Sequence, residues 1–323
     1  MEYYKDEKIV PYTEELWHKK SVAMTLMSIE HRCFPMELQE DEEDKKSLLD
    51  RAVSAFLVMD NHGSIRAECY ALDKNDEDVD EEDGRYLNHI FNLCNINHGV
   101  YGYSIAVMPE YQGKGYAEWL LMRTLLDCKE KGYKVLYTNA RAGGSSHLQE
   151  FFGAELVETR HNWFGSGEDF SLYKHDLTAL HLIPFTPFIQ SYDYDCGSAC
   201  VQAMLHYYGI NPTYRTLMEK LGTNRIDGTQ PDKIISVIES HGRYPSKITN
   251  AEGLNAAAIV NRPVMIGTLY PGVYEGHWLI VVGSSDNFWY VQDVSTGRFG
   301  RMGLEELERT WWNNKYGRVG ISC

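Results

Sequence analysis

Apolar positions along this chain switch repeatedly between two spacings. Runs and alternations that suit strands give way to three-and-four spacing that suits helices. In the first half, Thr13 to Arg32 carries Leu16, Val22, Met24, Leu26 and Ile29 on partial apolar faces, which predicts a helix with Thr13 as its cap. Ser47 to Ala52 predicts a second, short helix. Ser54–Asp60 and Ser64–Leu72 read as two strands joined by the Asn61-His62-Gly63 turn, a hairpin. Further strands are expected at Tyr86–Asn95, Gly99–Met108, Lys134–Asn139 and Asp169–Lys174, with a short helix over Ser145–Phe152. The amphipathic run ending at Lys131 predicts a longer helix, with Leu120, Leu121, Thr124, Leu125 and Cys128 on its buried face and Gly132 ending it.

Between Asp176 and Pro187 the apolar residues lose any period and two prolines follow, which marks a linker between a domain of residues 1–178 and one of 184–323. Beyond it, Ala199, Ala203, Met204, Tyr207 and Tyr208 recur at helical spacing until Gly209, so Cys196 is expected at or near a helix N-terminus. Helices are expected at Pro212–Leu221, with Pro212 in the first position, at Pro231–His241 and at Gly253–Val260. Pro263–Leu269, Trp278–Gly283, Phe288–Asp293 and Arg318–Ser322 read as strands of an antiparallel sheet. The fold class is therefore two-domain α+β: a mixed α/β unit, then helices set against a sheet.

Composition narrows the chemistry. A net charge of −15 argues against nucleic-acid binding, which needs a basic surface, and is compatible with a basic peptide substrate. The longest apolar runs are too short to span a bilayer, so no membrane partner is expected. The opening MEYYKDEKIVPY has no apolar core of a signal peptide, and the seven cysteines are odd in number and scattered. Both point to a reducing, cytoplasmic setting. Cys196 and Cys200 lack the second pair of a metal site, so no metal is expected. The acidic run Lys74–Gly84 lacks the ligand pattern of a calcium loop and reads as a solvated hairpin loop.

Four residues suggest nucleophilic catalysis. Gln190 stands six positions before Cys196, which Gly197 follows. His277 opens the apolar run HWLIVVG, and Asp293 ends the strand-like FWYVQDV. A helix N-terminus favours a thiolate at Cys196, and in this order His277 is the base, Asp293 its orienter and Gln190 an amide near the oxyanion. From Pro184 to Cys323 the chain resembles the papain-like cysteine peptidases that cut double-glycine leader peptides, a family usually fused to bacteriocin-exporting ABC transporters. The resemblance rests on Gln190, Asp195-Cys196-Gly197, His277 and Asp293, with Asp227–Gly242 and Asn261–Gly267 in support.

In the first half a strand ends in Val107-Met108-Pro109, and Gln112-Gly113-Lys114-Gly115-Tyr116-Ala117 leads into the long helix. A strand, a glycine-rich turn and a helix start together form an anion site, because glycine lets a phosphate approach the unpaired N–H groups. The dinucleotide and P-loop fingerprints are absent. Over Glu2–Asp176 the chain resembles the GNAT N-acetyltransferases, whose (Gln/Arg)-x-x-Gly-x-(Gly/Ala) motif matches here. The resemblance implies that the turn holds the pyrophosphate of acetyl-CoA, or of a longer acyl-CoA. It further implies that Tyr103–Val107 pairs with the pantetheine arm and faces an acceptor amine. One departure stands out. Gln149 occupies the place where the family often has a tyrosine acid, so that Tyr101, Tyr103, His89 or His147 substitutes, water serves, or the domain binds an acyl-CoA without ordinary acetyl transfer.

Together these readings predict a bifunctional enzyme that modifies a peptide or protein by CoA-dependent N-acyl transfer and by Cys-His-Asp peptidase chemistry. Two alternatives stay open for the second domain: a peptide-binding module, or an acyl-enzyme transferase or ligase. Hydrolysis and ligation use the same triad.

Overall fold

The computed structural model describes residues 7–73, 99–269, 276–311 and 317–323. The acidic run, the strand expected at Tyr86–Asn95 and His89 lie outside them. The described chain is a two-domain α+β protein that divides into compact units between Ala179 and Leu180.

The first unit is built on seven strands, β1 (Glu7–Pro11), β2 (Ser54–Asp60), β3 (Ile65–Asp73), β4 (Gly99–Val107), β5 (Val135–Arg141), β6 (Glu155–Arg160) and β7 (Phe170–Asp176), in the order β1-β2-β3-β4-β5-β7-β6. All neighbours are antiparallel except β4 and β5. The β2–β3 turn is closed by the Asp60 carboxylate, which accepts the N–H groups of His62 and Ser64 at 2.9 and 2.8 Å. Helix Tyr116–Glu130 covers one face, and Leu120, Leu121, Thr124, Leu125 and Cys128 are buried as their spacing required. Leu26, Ile29, Leu57, Ile65, Leu72 and Tyr137 belong to a shared apolar core.

Several elements depart from expectation. The helix over Thr13–Arg32 is two, Glu14–Trp17 and Lys20–Cys33, because Lys19 turns to extended backbone. The next helix starts at Glu42 rather than Ser47, since Asp41 caps it by accepting the N–H groups of Glu43 and Asp44. Its first turn is all acidic, so no apolar period announces it. Strand β6 was also unmarked, because its side chains are mostly exposed.

The sheet opens at one place. β4 and β5 are in register only from Gly99–Val135 to Gly102–Thr138. Gly102 permits that close approach: a Cβ there would lie 3.2 Å from Thr138 Cβ. On the other side, the register of β3 slips between Tyr70, opposite Ser104, and Ala71, opposite Gly102, which leaves Tyr103 as the extra residue of a bulge. From Tyr103 to Val107 β4 has β3 on one edge and no ladder to β5 on the other.

The second unit holds β8 (His181–Leu182), β9 (Ser246–Ile248), β10 (Val264–Thr268), β11 (His277–Ser284), β12 (Phe288–Asp293), β13 (Arg298–Gly303) and β14 (Gly320–Ser322). Its antiparallel order is β13-β12-β11-β10-β14-β9, with β8 also on β11. Helices Cys196–Tyr207, Tyr214–Leu221 and Pro231–Ser240 pack on one another, and the first packs on β11. Leu254, Val264, Ile266, Leu279 and Trp311 are among the residues of its sheet core. Pro212 is not the first helical residue: Thr213 is the cap, in extended conformation, and the helix starts at Tyr214. Strand β13 was unmarked because only Phe299 and Met302 of RFGRMG are buried. Among the described residues no helix is long and apolar enough to cross a membrane.

Candidate active sites

In the second unit Cys196 is the first residue of its helix, so its N–H belongs to the unpaired amides of a helix start. Three contacts seat that start. The fully buried Asp195 carboxylate accepts the Tyr192 N–H at 3.1 Å and the Tyr214 O–H at 2.6 Å. Gly197 faces Thr229 and Trp278 so closely that a Cβ would come within 2.5 Å of Thr229 Cβ. Cys200, one turn on, donates its thiol to the Trp278 carbonyl at 3.4 Å. Trp278 follows His277, so the helix is fastened to the strand that carries the candidate base.

On β11 Leu279 lies opposite Asp293 of β12, which puts His277 diagonal to Asp293 on the same face. His277 Nε2 is 2.8 Å from Asp293 Oδ1. Asp293 Oδ1 also accepts the Ser295 N–H and hydroxyl, each at 2.8 Å, which fixes the carboxylate. Burial lowers the His277 pKa, but hydrogen bonds to Asp293 and Cys196 and the charges behind them outweigh it and lift the value to about 9. Burial raises the Asp293 pKa, and the bonds to His277 and Ser295 override it, holding the carboxyl below its usual range. With Nε2 on Asp293, the other ring nitrogen is the one available to the thiol. Cys196, His277 and Asp293 thus meet in one place. Gln190 joins them through its backbone, whose N–H donates to Val294 O at 2.8 Å, while its side-chain Nε2 donates to Tyr192 O at 2.7 Å. Its Oε1 is buried and has no hydrogen-bond partner among the described residues.

The sign of the pH response follows. His277 is raised above the usual value of about 6.5, so its pairing stabilises the fold fully below that pH and the contribution is lost as pH rises through about 9. Any activity that needs the imidazolium should decline above about pH 9. Asp293→Asn should move that alkaline limb down by about one pH unit or more. A pH–rate profile of peptide cleavage checks both, and an unmoved limb in the variant would separate the limb from His277.

In the first unit the opening beside β4 is a cleft of about 860 Å³. Val107, Gln112, Gly113, Gly115, Tyr116 and Ala117 all line it; Lys114 does not, and its Nζ lies 4.7 Å from the Tyr111 ring centre. Gly113 and Gly115 hold φ of +71° and +88°, the left-handed backbone that favours glycine. Among the described residues no side-chain cap hydrogen bond closes the helix start at Gly115, the kind of backbone end at which an anion can sit. The Gln112 amide donates to Val107 O at 3.1 Å and ties the turn to the strand end. The Tyr116 hydroxyl is committed to Glu7.

Gln149, at the position where a tyrosine acid was sought, is buried and bonded to His175 Nε2 at 2.8 Å; burial pushes His175 down to about 3. It does not line the cleft, and neither does the exposed His147, whereas Tyr101 and Tyr103 do. Tyr101 Oη accepts from Asn139 at 2.9 Å, and Tyr103 Oη donates to Glu40 Oε1 at 2.7 Å. Beneath them is a cluster that the sequence reading missed. Lys45, with no exposed surface, reaches Glu30 at 2.8 Å, Glu68 at 2.5 Å and Tyr70 at 3.4 Å. The signal was present in IRAECYALD, where Glu68 is a lone carboxylate inside an apolar strand.

Comparison with known proteins agrees with the two folds. Residues 23–152 match the model of the Acetyltransferase (GNAT) family, and residues 185–315 that of the Peptidase C39 family. A curated relative, the [ribosomal protein bS18]-alanine N-acetyltransferase of Haemophilus influenzae, is 35% identical over 63 residues, 19% of this chain. The chain spans 43% of that relative's length. Among solved structures, the ribosomal-protein-S18-alanine N-acetyltransferase of Escherichia coli aligns over 53% of this chain and 94% of its own, with 18% identity and a TM-score of 0.38. The peptidase domain of Streptococcus ComA, a bi-functional ABC transporter, aligns over 42% of this chain and 96% of its own, with 22% identity and a TM-score of 0.37. Both matched families are enzymes, one of acetyltransferases and one of peptidases, and the chain resembles the first over residues 23–152 and the second over residues 185–315.

Proposed function

We propose that this chain modifies peptides or proteins by two reactions, CoA-dependent N-acyl transfer to an amine and Cys-His-Asp cleavage of a peptide bond. The observation that carries the peptidase half is the His277 imidazole, held by Asp293 at 2.8 Å beside a cysteine that opens a helix. Cys196 gives its proton to His277 and attacks the scissile carbonyl. His277 returns that proton to the leaving amine as the C–N bond breaks. Water, losing a proton to His277, then attacks the thioester, so that the acid leaves and the proton returns to the Cys196 sulfur. Asp293 keeps the ring oriented, and the Cys196 N–H with the second Gln190 amide hydrogen faces the oxyanion. In the first domain, acetyl-CoA or a longer acyl-CoA fits the cleft. Its pyrophosphate lies on the amides of the Gln112–Ala117 turn, and its amide-bearing arm completes the open edge of β4 from Val107 toward Tyr103, about 13 Å of strand.

The relative's action on the alanine of a ribosomal protein supports a protein or peptide acceptor. The net charge of −15 and the carboxylates of Glu37 and Glu40 along the cleft favour a basic one. The reading places the reactions in a reducing, cytoplasmic compartment that keeps Cys196 a thiol, without nucleic acid or membrane. Mass spectrometry of basic and glycine-containing peptides, incubated with the protein with and without acetyl-CoA, tests it. Cleaved products without the cofactor and acetylated products with it are expected. Unchanged peptides in every mixture would defeat the reading.

A further inference from the structure

We propose that Glu40 takes the proton of the acceptor amine in the acyl-transfer cleft, with Tyr103 positioning its carboxylate. The inference rests on the acyl-CoA reading of that cleft and adds the proton acceptor it lacks. Tyr103 is the bulged residue where β4 leaves β5 and its open edge begins, the end at which a thioester carried along that edge from the Gln112–Ala117 turn arrives. Its hydroxyl donates to Glu40 Oε1 at 2.7 Å, so the carboxylate is held at that end of the cleft.

The other carboxylates nearby are placed differently, and Glu118, which also lines the cleft, stands in the first turn of helix Tyr116–Glu130. Glu30 and Glu68 share the buried Lys45 ammonium. Glu37 lines the cleft, but no hydrogen bond from the bulge fixes it there. Among the described residues the Glu40 carboxylate has Tyr103 as its hydrogen-bond partner, while the Glu40 N–H donates to Glu30 Oε1 at 3.2 Å. The titratable groups that face it are Tyr103 of β4, Glu30 of helix Lys20–Cys33, and Asp44 and Lys45 of helix Glu42–Arg51. Burial raises its pKa, and Glu30 and Asp44 add to that, against the lowering by Tyr103 and Lys45. The net upward shift makes the carboxylate a better base near neutral pH.

The step balances. An acceptor ammonium gives one proton to Glu40. The neutral nitrogen attacks the thioester carbonyl, the C–N bond forms and the C–S bond breaks. The remaining excess proton on nitrogen passes to the departing thiolate, and Glu40 releases its own to solvent. Acyl-CoA and an ammonium become an amide, CoA thiol and one proton.

The test uses the full chain, acetyl-CoA, and two acceptor probes: a peptide with a free N-terminal alanine and a lysine-containing peptide. In Glu40→Gln, acetyl-CoA affinity by calorimetry should stay within about twofold. Its kcat should fall about a hundredfold, lose its acidic limb, and recover partly at high pH, where more amine is neutral. Tyr103→Phe should keep the limb and move it upward, since the hydroxyl lowers the Glu40 pKa. Wild-type turnover by Glu40→Gln, or a pH profile merely scaled down, would overturn the inference, as would a wild type that binds acetyl-CoA yet acetylates neither probe. A wild type that fails to bind acetyl-CoA defeats the cleft reading itself.

Discussion

Cys196→Ala should abolish peptide cleavage, by at least about a thousandfold, and leave CoA-dependent acyl transfer within about twofold of wild type. The substitution removes one sulfur from a nearly buried position and leaves the helix start intact, since Asp195, Gly197 and Cys200 make its seating contacts. The fold should therefore survive, which an unchanged melting temperature verifies. Cleavage is lost because, among the described residues, no other thiol sits with the His277–Asp293 pair. Burial pushes Cys69 and Cys128 to about 12 and Cys323 to about 11, and raises Cys33 and Cys200, which disfavours the thiolate that a nucleophile needs. Acyl transfer is spared because its cleft is lined by residues of the other unit. Both reactions are followed by mass spectrometry on the same samples. Undiminished cleavage would remove Cys196 from the chemistry and favour a peptide-binding role. Loss of a joined product along with the cleaved one would identify an acyl-enzyme that passes to an amine.

Much of both sites was legible because each motif rests on local backbone physics. A cysteine placed before Gly197 and an apolar helical run suits a helix start, and Gly113 and Gly115 take the backbone that turns a strand into a helix start. His277 and Asp293 were legible as strand ends, and the β11–β12 register then sets them diagonally. Contacts between distant segments were not. Nothing near Tyr214 announces that its hydroxyl braces Asp195, and the need for glycine at 197 comes from Thr229 and Trp278. Glu40 follows a short helical turn, Met36–Leu38, with no periodic pattern around it, so only the fold reveals its bond to Tyr103. Strands β6 and β13 escaped because exposed or glycine-rich segments carry little burial signal.

Gly115→Asp should weaken acetyl-CoA binding more than a hundredfold, with peptide cleavage unaffected. Gly115 caps the helix Tyr116–Glu130 with φ of +88°, and among the described residues no side-chain cap hydrogen bond closes that helix start. An aspartate there adds two penalties. The left-handed backbone disfavours any side chain, although Asn and Asp bear it better than most. Its carboxylate would also stand where the pyrophosphate meets the first-turn amides. One such charge about 5 Å from a phosphate costs about 3 kcal/mol at an effective dielectric near 20. Gly115→Asn separates the two penalties: it shares the backbone strain and nearly the size of aspartate but carries no charge. Calorimetry should therefore rank wild type, then Asn, then Asp, and the gap between the variants should narrow as salt rises. Equal affinity in wild type and Gly115→Asp would remove the phosphate from this turn. Equal loss in both variants, independent of salt, would assign the effect to backbone strain and leave the helix start without an anion-binding role.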